Sequence, residues 1–310
     1  NTNIRIDSDT DFVNMWVAYV QKVVDEFGDR IDYWEVGNDI NVWWHKVRGK
    51  SEFETGVYMN MLMSAYEIIK RKDPSDTVIM GSLVNTDSKS QGLDPFEMIN
   101  KLRIYRVQNY CDALNLQLFW PGQEPDDKKS NIVFGNAKQL SMAEYVEHFL
   151  NESERLLGKR MPLWISSVGY DMTQYKDLEA TYGFMSNEMQ AVFLIKSYVT
   201  LLSIPEVQSV FWYTWHNDET GQQFNLLEAG KKAYGTLTKA LSGSQALGRQ
   251  PVVDVNGNVV ESGVDYRFRR PDGKIASYFW ATDKRLAEVG AKLIPGDNRT
   301  VKIYQPDGLL

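Results

Sequence analysis

Apolar residues along this chain follow two spacings that alternate with one another. A helical spacing begins after Asp11, carries Phe12, Trp16 and Val24 on one face, and stops at Gly28. The same spacing predicts further helices at residues 54–72, 95–102, 141–157, 187–203 and 230–241. Short runs rich in aromatic and β-branched residues predict strands at 31–36, 77–84, 111–119, 162–168 and 207–215. Because most of these strands are apolar on both faces, they belong in a parallel sheet covered by helices, and the predicted fold class is α/β.

A different pattern begins after residue 241. Residues 242–245 have the composition of a linker, whereas the polar segment 120–136 earlier in the chain is predicted to be a loop. Beyond the linker, strands with turn residues between them are predicted at 252–260, 266–269, 275–280 and 300–304. The chain is therefore predicted to divide into an α/β domain, residues 1–241, and a small all-β domain, residues 242–310.

Composition excludes several classes of function. With 310 residues, 43% of them hydrophobic, the chain can bury a large core. Its net charge is −7 and its Lys and Arg residues are not clustered, so we expect neither nucleic acid nor an anionic membrane as partner. No apolar run is long enough to span a bilayer, and the single cysteine, Cys111, is predicted to lie in the core. The three histidines match no metal-binding spacing, and we predict no metal and no cofactor.

Polar residues follow the first predicted strand directly. Gly37, Asn38 and Asp39 lie at its carboxyl end. In a barrel of alternating strands and helices, that end of each strand forms the rim on which ligand-binding side chains converge. Asn38 and Asp39 are therefore candidates for chemistry; the alternative is an ordinary polar turn.

The segment Trp34–Asp39 resembles the fourth strand of the retaining glycoside hydrolases of clan A, which carries the pattern Trp-Glu-x-x-Asn-Glu, and glycoside hydrolase family 39 is the most similar family. Residues 112–117, 163–170 and 211–215 resemble strands six, seven and eight of that clan, and residues 266–274 resemble the β-sandwich that often follows. The resemblance implies a (β/α)8 TIM-type barrel of which this chain holds only strands four to eight, followed by a sandwich-like domain. We expect an N-terminal barrel portion, or another chain, to complete the barrel; a self-contained open sheet is the alternative.

Three departures from the family pattern bear on catalysis. A retaining glycosidase needs two carboxyl groups about 5–5.5 Å apart, one as proton donor and one as nucleophile. The resemblance assigns Asp39 to the acid/base place, where the family has the longer Glu, and Ser167 to the nucleophile place, where the family again has Glu. Gln117 replaces a histidine and cannot titrate. Together these departures predict a catalytically impaired protein.

We expect the carbohydrate-binding surface to be retained although catalysis is impaired. The resemblance implies that Asn38 bonds a sugar hydroxyl and that Gln117 still offers hydrogen bonds. Trp120, Tyr170 and Trp215 are candidate platforms for sugar rings, as are Trp43 and Trp44 on rim loops; for each of these rings, packing against the barrel is the alternative.

Three functions remain open from the sequence. The first is a carbohydrate-binding or structural protein that has lost hydrolysis, the second an active glycosidase with Asp39 as acid/base, and the third a scaffold subunit with a vestigial cleft. An inverting pair of Asp39 with Asp171 is a variant of the second, and Glu35 is expected to be structural. The triplets 151–153 and 298–300 fit the N-glycosylation pattern and favour an extracellular or cell-surface setting.

Overall fold

The computed structural model describes residues 9–42, 55–85, 92–120, 124–170, 186–216, 224–254 and 256–282. The chain forms two compact units. Unit 1 comprises residues 1–119, 129–140 and 144–167, and unit 2 comprises residues 120–128, 141–143 and 168–310.

The predicted alternation of helices and strands is confirmed. The described helices are α1 (Asp9–Phe27), α2 (Thr55–Lys72), α3 (Pro95–Leu102), α4 (Met142–Leu157), α5 (Ser186–Leu202) and α6 (Glu228–Leu241). The strands of the α/β part are β1 (Tyr33–Val36), β2 (Thr77–Met80), β3 (Leu83–Val84), β4 (Leu114–Phe119), β5 (Lys129–Val133), β6 (Asn136–Leu140), β7 (Leu163–Gly169) and β8 (Val207–Trp212). Three further strands follow: β9 (Gln245–Gln250), β10 (Gly263–Arg269) and β11 (Ile275–Ala281).

A parallel sheet forms the centre of unit 1. Strand β1 pairs in parallel with β2, and β3 pairs in parallel with β4. A parallel bridge from Ile79 to Ala113 joins β2 to the start of β4, and the Leu114 N–H donates to the Pro162 carbonyl just before β7. The buried residues of β2 and β4 make this sheet apolar at its centre. The prediction of an α/β fold with a parallel sheet is thereby confirmed.

The strand predicted at 77–84 is interrupted at Gly81 and Ser82. A side chain at Gly81 would place its Cβ only 2.6 Å from the Val36 carbonyl oxygen, so the two strand ends approach as closely as glycine allows. The buried Tyr58 hydroxyl of α2 donates to the Val36 carbonyl at 3.1 Å and accepts from the Gly81 N–H at 2.8 Å. This hydroxyl fixes the carboxyl ends of β1 and β2 against one another.

The polar segment predicted to be a loop contains the hairpin β5–β6. Asp94 explains its position: the carboxylate caps α3 by accepting from Phe96 N–H at 2.9 Å and also accepts from Gly135 N–H, in the hairpin turn, at 2.8 Å. The single cysteine, Cys111, is 3% exposed, which confirms its predicted place in the core.

Unit 2 contains an antiparallel sheet in the order β11, β10, β9. The hairpin predicted around residues 271–273 joins β10 to β11, and an antiparallel bridge from Val253 to Val259 confirms the Asn256-Gly257 turn. Strand β9 begins inside the segment predicted to be a linker. The predicted strand at 300–304 lies outside the described residues, and the predicted division at 241/242 stays a prediction.

A buried charge cluster lies within unit 2. Lys196 of α5 forms ion pairs with Glu124 and, at 3.6 Å, with Asp126. The indole N–H of Trp280, on β11, donates to Asp126 at 2.7 Å, and the Lys196 ammonium lies 5.6 Å from the centre of the Trp280 ring. Burial raises the pKa of Asp126, while the Lys196 charge opposes that rise. The cluster ties helix, loop and antiparallel sheet together inside this unit.

Candidate functional site

Asn38 and Asp39 form a tight turn at the carboxyl end of β1. Gly37 has φ of 99° and Asp39 has φ of 51°, so the chain passes twice through the left-handed region. Glycine enters that region without strain, and aspartate is among the few other residues that do so at modest cost. The turn is held by the Ile40 N–H, which donates to the Ser82 carbonyl at 3.0 Å. The geometry turns Asn38 and Asp39 out of the strand and towards the end of the sheet.

Ser82 is the centre of the polar cluster at this edge. Its hydroxyl accepts from the Asp39 N–H at 3.1 Å and from Gln117 Nε2 at 2.9 Å, and it donates to Asn38 Oδ1 at 3.0 Å. Gln117 Nε2 also donates to Asn38 Oδ1 at 2.6 Å. We define the polar cluster as Asn38, Asp39, Ser82 and Gln117.

The structure therefore brings together three of the predicted site residues and one that sequence reasoning missed. Asn38 is exposed, Asp39 is half-buried, and Gln117 and Ser82 are 6% and 0% exposed. Ser82 gave no usable signal in the sequence, because a serine inside an apparent strand is common. What singles it out is the break in that strand, which only the structure displays.

The Asp39 carboxyl is biased towards its protonated form. Burial raises its pKa, and interaction with the Gln117 amide opposes the rise. Its Oδ1 atom is enclosed and has no hydrogen-bond donor among the described residues. An enclosed carboxylate oxygen without a donor is destabilised, which again favours the neutral acid.

Glu35, expected to be structural, lies close to the polar cluster. Burial raises its pKa, interactions with Ser82 and the Asn115 amide oppose the rise, and the charge of Asp39 adds to it. Glu35 is nevertheless exposed to solvent at the surface of β1. Unit 1 thus holds two carboxyl groups with raised pKa values, and the charge of Asp39 acts on Glu35.

Ser167, predicted for the nucleophile place, is 8% exposed on β7. Three residues earlier on β7, the Trp164 ring lies 5.2 Å from the Tyr33 ring of β1, centre to centre. Side chains alternate along a strand, so Tyr33 and Glu35 share one face, and Ser166 shares the face of Trp164. The Ser166 N–H donates to Asn115 Oδ1 at 3.3 Å. Neither Ser166 nor Ser167 supplies a carboxylate.

Two of the candidate platforms are fully buried. Trp120 and Tyr170 are each 0% exposed. In unit 2, the Tyr170 hydroxyl bonds the Ser197 hydroxyl at 2.9 Å, and its ring stacks on Trp212 with centres 5.9 Å apart. A ring without exposed surface cannot stack on a sugar, so burial favours the packing role for both residues.

Trp215, the third candidate, is 47% exposed in unit 2. Its ring meets Tyr234 edge-on with centres 6.1 Å apart, and the Lys231 ammonium lies 5.6 Å from its centre. It retains the exposed surface that a platform needs. Trp43, Trp44 and Asp171 lie outside the described residues.

No group of three His, Cys, Asp or Glu residues within the described ranges could hold a metal ion. In the same part of the chain, no helix is both long and apolar enough to cross a membrane. A cavity of about 470 Å³ in unit 2 is lined by residues from Leu202 to Gln208, from Leu241 to Ala246 and by Phe268, none of them a predicted site residue.

Comparison with solved structures identifies the type of fold. A GH5_18 protein from Streptomyces cattleya, solved in complex with Manb1-4GlcNAc, superposes with a TM-score of 0.50 at 14% identity, covering 77% of this chain and 57% of that one. The fold resembles that of TIM-barrel glycoside hydrolases. Two other matches are a glucosidase from Croceicoccus marinus (TM-score 0.49, 15% identity, 84% of this chain and 53% of that chain) and a β-glucuronidase from Bacteroides uniformis (TM-score 0.49, 10% identity, 90% and 37%).

The chain spans only part of these structures, 57% of the length of the Streptomyces protein and 53% of the glucosidase. No family model matches the sequence. No curated protein matches it either.

Proposed function

We propose that this protein binds carbohydrate at the polar cluster and has lost glycoside hydrolysis. The observation that carries the proposal is the hydrogen-bonded set Asn38, Ser82 and Gln117 at the carboxyl ends of parallel strands, beside the half-buried Asp39. Because Asn38 Oδ1 accepts hydrogen bonds from both Ser82 and Gln117, its NH2 group is left to donate outward from an exposed residue. An outward amide beside a carboxyl offers the donor and the acceptor that neighbouring sugar hydroxyls require.

We infer the loss of hydrolysis from the missing nucleophile. A retaining glycosidase needs a nucleophilic carboxylate across from its acid. We assign that place to Ser167 by resemblance, and a serine hydroxyl without a neighbouring base is a weak nucleophile. Kinship with glycoside hydrolase family 39 is part of this proposal.

A glycan array tests the binding half. We expect the wild-type protein to retain a defined set of oligosaccharides and Asn38→Ala to lose them. The matched control is Asn136→Ala, an exposed asparagine on β6 of the same unit, which should bind like wild type. Weaker glycan binding by Trp215→Ala would indicate that the Trp215 ring is a platform for a sugar ring. If the array retains no glycan, a scaffold subunit with a vestigial cleft becomes the better explanation.

An active glycosidase is the second candidate, and the raised pKa of Asp39 favours it, because a general acid must hold its proton near the working pH. Incubation with aryl glycosides separates the two. We expect no turnover. Turnover that Asp39→Asn abolishes would establish the enzyme instead.

We also propose that further strands complete the barrel, supplied by an N-terminal barrel portion or another chain, and that residues 242–310 form a sandwich-like domain. Within the described residues, β1 pairs only with β2, and Tyr33 on its open face is 57% exposed. An apolar face and a free edge are unfavourable in water. Amide hydrogen exchange tests this: β1 should exchange quickly in the 310-residue chain, and protection equal to that of β4 would mean that the sheet is closed without added strands.

An extracellular or cell-surface location remains part of the proposal. Of the two glycosylation triplets, the one at Asn151 lies within α4, and its side-chain oxygen accepts from Arg160 at 2.7 Å. The other triplet lies outside the described residues. Mass spectrometry of the natively expressed protein tests for attached glycans.

A further inference from the structure

The hydroxyl hydrogen of Ser82 has a single destination. The hydroxyl oxygen accepts from the Asp39 N–H at 3.1 Å and from Gln117 Nε2 at 2.9 Å, which uses both of its lone pairs. The one hydrogen that it carries goes to its remaining partner, Asn38 Oδ1, at 3.0 Å. Ser82 is 0% exposed, so water does not compete for that hydrogen. The whole hydrogen-bonding capacity of this hydroxyl is therefore used within the polar cluster.

The backbone on either side of Ser82 fixes where its hydroxyl lies. The Ser82 carbonyl accepts from the Ile40 N–H at 3.0 Å, so the turn after β1 is bound by both the backbone and the side chain of this serine. Directly before it, the Gly81 N–H donates to the buried Tyr58 hydroxyl at 2.8 Å. Because Ser82 is held in this way, its hydroxyl can orient a neighbouring side chain.

Asn38 is the side chain that depends on this support. It is exposed, and an exposed asparagine normally samples several rotamers. Its Oδ1 receives hydrogens from two donors on different elements, Gln117 of β4 at 2.6 Å and Ser82 of the break between β2 and β3 at 3.0 Å. Two donors on one oxygen keep that oxygen inward and the NH2 group outward, whereas a single donor leaves the side chain able to turn about it.

We propose that Ser82 is a positioning residue of the carbohydrate site, whose hydroxyl holds Asn38 so that the site meets its ligand with N–H donors. The proposal rests on the proposed carbohydrate function. It specifies the ligand group that meets Asn38 as an oxygen with a free lone pair, such as a hydroxyl or an acyl carbonyl. Because Asn38 is ordered before the ligand arrives, binding does not have to immobilise it, a step that otherwise weakens affinity.

Side-chain order parameters of the ligand-free protein test the positioning role. The ¹⁵N relaxation of the Asn38 amide is measured by NMR in wild type, in Ser82→Ala and in the control Ser64→Ala. The control removes a hydroxyl of α2 that donates to the Asn60 carbonyl of the same helix at 2.7 Å. We expect an order parameter of about 0.8 in wild type and in Ser64→Ala, and below about 0.6 in Ser82→Ala. An unchanged value in Ser82→Ala would overturn the proposal, whether or not any glycan binds.

Ser82→Cys provides the same test if Ser82→Ala does not fold. A thiol fills the place of the hydroxyl but is only a weak hydrogen-bond donor. We expect the Asn38 order parameter to fall below about 0.6 in this variant as well. A wild-type value would contradict a role for the Ser82 hydrogen.

Binding measurements test the donor polarity of the site. For a glycan retained on the array, we expect Ser82→Ala to weaken affinity about fivefold and Ser64→Ala to leave it unchanged. Asn38→Asp keeps an oxygen for the Ser82 and Gln117 donors but turns the outward donor into an acceptor, so affinity should fall more than about tenfold.

Wild-type affinity in Ser82→Ala or in Asn38→Asp would contradict the proposal. Absence of any bound glycan would contradict the proposed function alone, because the order parameters of the free protein still report on Ser82.

Discussion

The side-chain amide of Gln117 donates a hydrogen bond of 2.6 Å to the side-chain oxygen of Asn38. The two residues belong to β4 and to the turn after β1, with the interrupted strand β2–β3 between them, whose Ser82 bonds both. Under the proposed kinship with family 39, Gln117 stands where that family has a titrating histidine, and its neutral amide donates this hydrogen bond.

Replacing Gln117 by leucine removes that framework while keeping a similar volume. Asn38 Oδ1 would retain Ser82 as its only donor. We expect Gln117→Leu to lower the free energy of unfolding by about 1–3 kcal/mol, the usual cost of leaving a buried group unpaired, and to weaken glycan binding roughly tenfold. Urea denaturation and titration calorimetry measure the two effects. Gln139→Leu, at an exposed position of β6, is the control. Unchanged affinity in Gln117→Leu would mean that Asn38 needs no support from β4.

The Tyr58 hydroxyl supports the same site from below. Tyr58→Phe keeps the buried ring but leaves the Val36 carbonyl and the Gly81 N–H without their partner. We expect a loss of about 1–3 kcal/mol in the free energy of unfolding, measured by urea denaturation. Tyr66→Phe on the same helix is the control, since the contacts of Tyr66 are made by its ring, with Tyr110 and Lys70. Similar losses in both variants would argue against a specific role for the Tyr58 hydroxyl.

Three carboxyl groups should each contribute a stability that declines with rising pH. The pKa values of Glu35, Asp39 and Asp126 are raised in the folded protein, chiefly by burial, above ordinary values of 4.5, 3.8 and 3.8. The folded state then holds protons more tightly than the unfolded state, so this contribution is complete below those values and is lost as pH rises through the folded pKa values. His148 contributes in the opposite direction. Burial lowers its pKa, so its contribution to the free energy of unfolding decreases as pH falls below 6.5.

Comparison with Glu35→Gln isolates one contribution from that sum. We expect the free energy of unfolding of wild type to fall more steeply with pH above 4.5 than that of Glu35→Gln, measured by urea denaturation at a series of pH values. Parallel pH profiles would show that Glu35 titrates in the folded protein as it does in the unfolded chain.

Lys196 should be essential to unit 2. Lys196→Ala leaves the half-buried Glu124 and Asp126 without their cation and removes the ammonium from the Trp280 ring. We expect a loss of about 1–3 kcal/mol in the free energy of unfolding, because two half-buried carboxylates lose their charged partner. The control Lys232→Ala breaks an exposed pair with Glu228 and should cost about 0–1 kcal/mol. Equal effects of the two variants in thermal and urea denaturation would show that burial of Lys196 adds nothing.

The fold was predictable where side-chain spacing carried the information. Helices such as α1 and strands such as β4 repeat apolar residues at regular intervals, and the structure has them within a few residues of the predicted positions. The hairpin β5–β6 was missed because Lys129 to Asn131 and Asn136 to Gln139 are polar on both faces, and its position depends on the distant carboxylate of Asp94.

The site was predictable only in part, for a similar reason. Asn38, Asp39 and Gln117 stand at strand ends, a position that the sequence reveals. Ser82 and Glu35 belong to the site because residues of other strands lie beside them. Strands that pair across a long separation in sequence leave no local pattern that predicts such neighbours. The buried rings of Trp120 and Tyr170 illustrate the converse: an aromatic residue after a strand can equally fill the core.

A crystal structure of the protein soaked with an oligosaccharide retained on the array tests the central claim most directly. The account predicts an intact glycan hydrogen-bonded to the Asn38 amide and the Asp39 carboxyl, with Gln117 and Ser82 unchanged behind them. Cleaved sugar at this site, or an intact glycan bound away from Asn38 and Asp39, would contradict it.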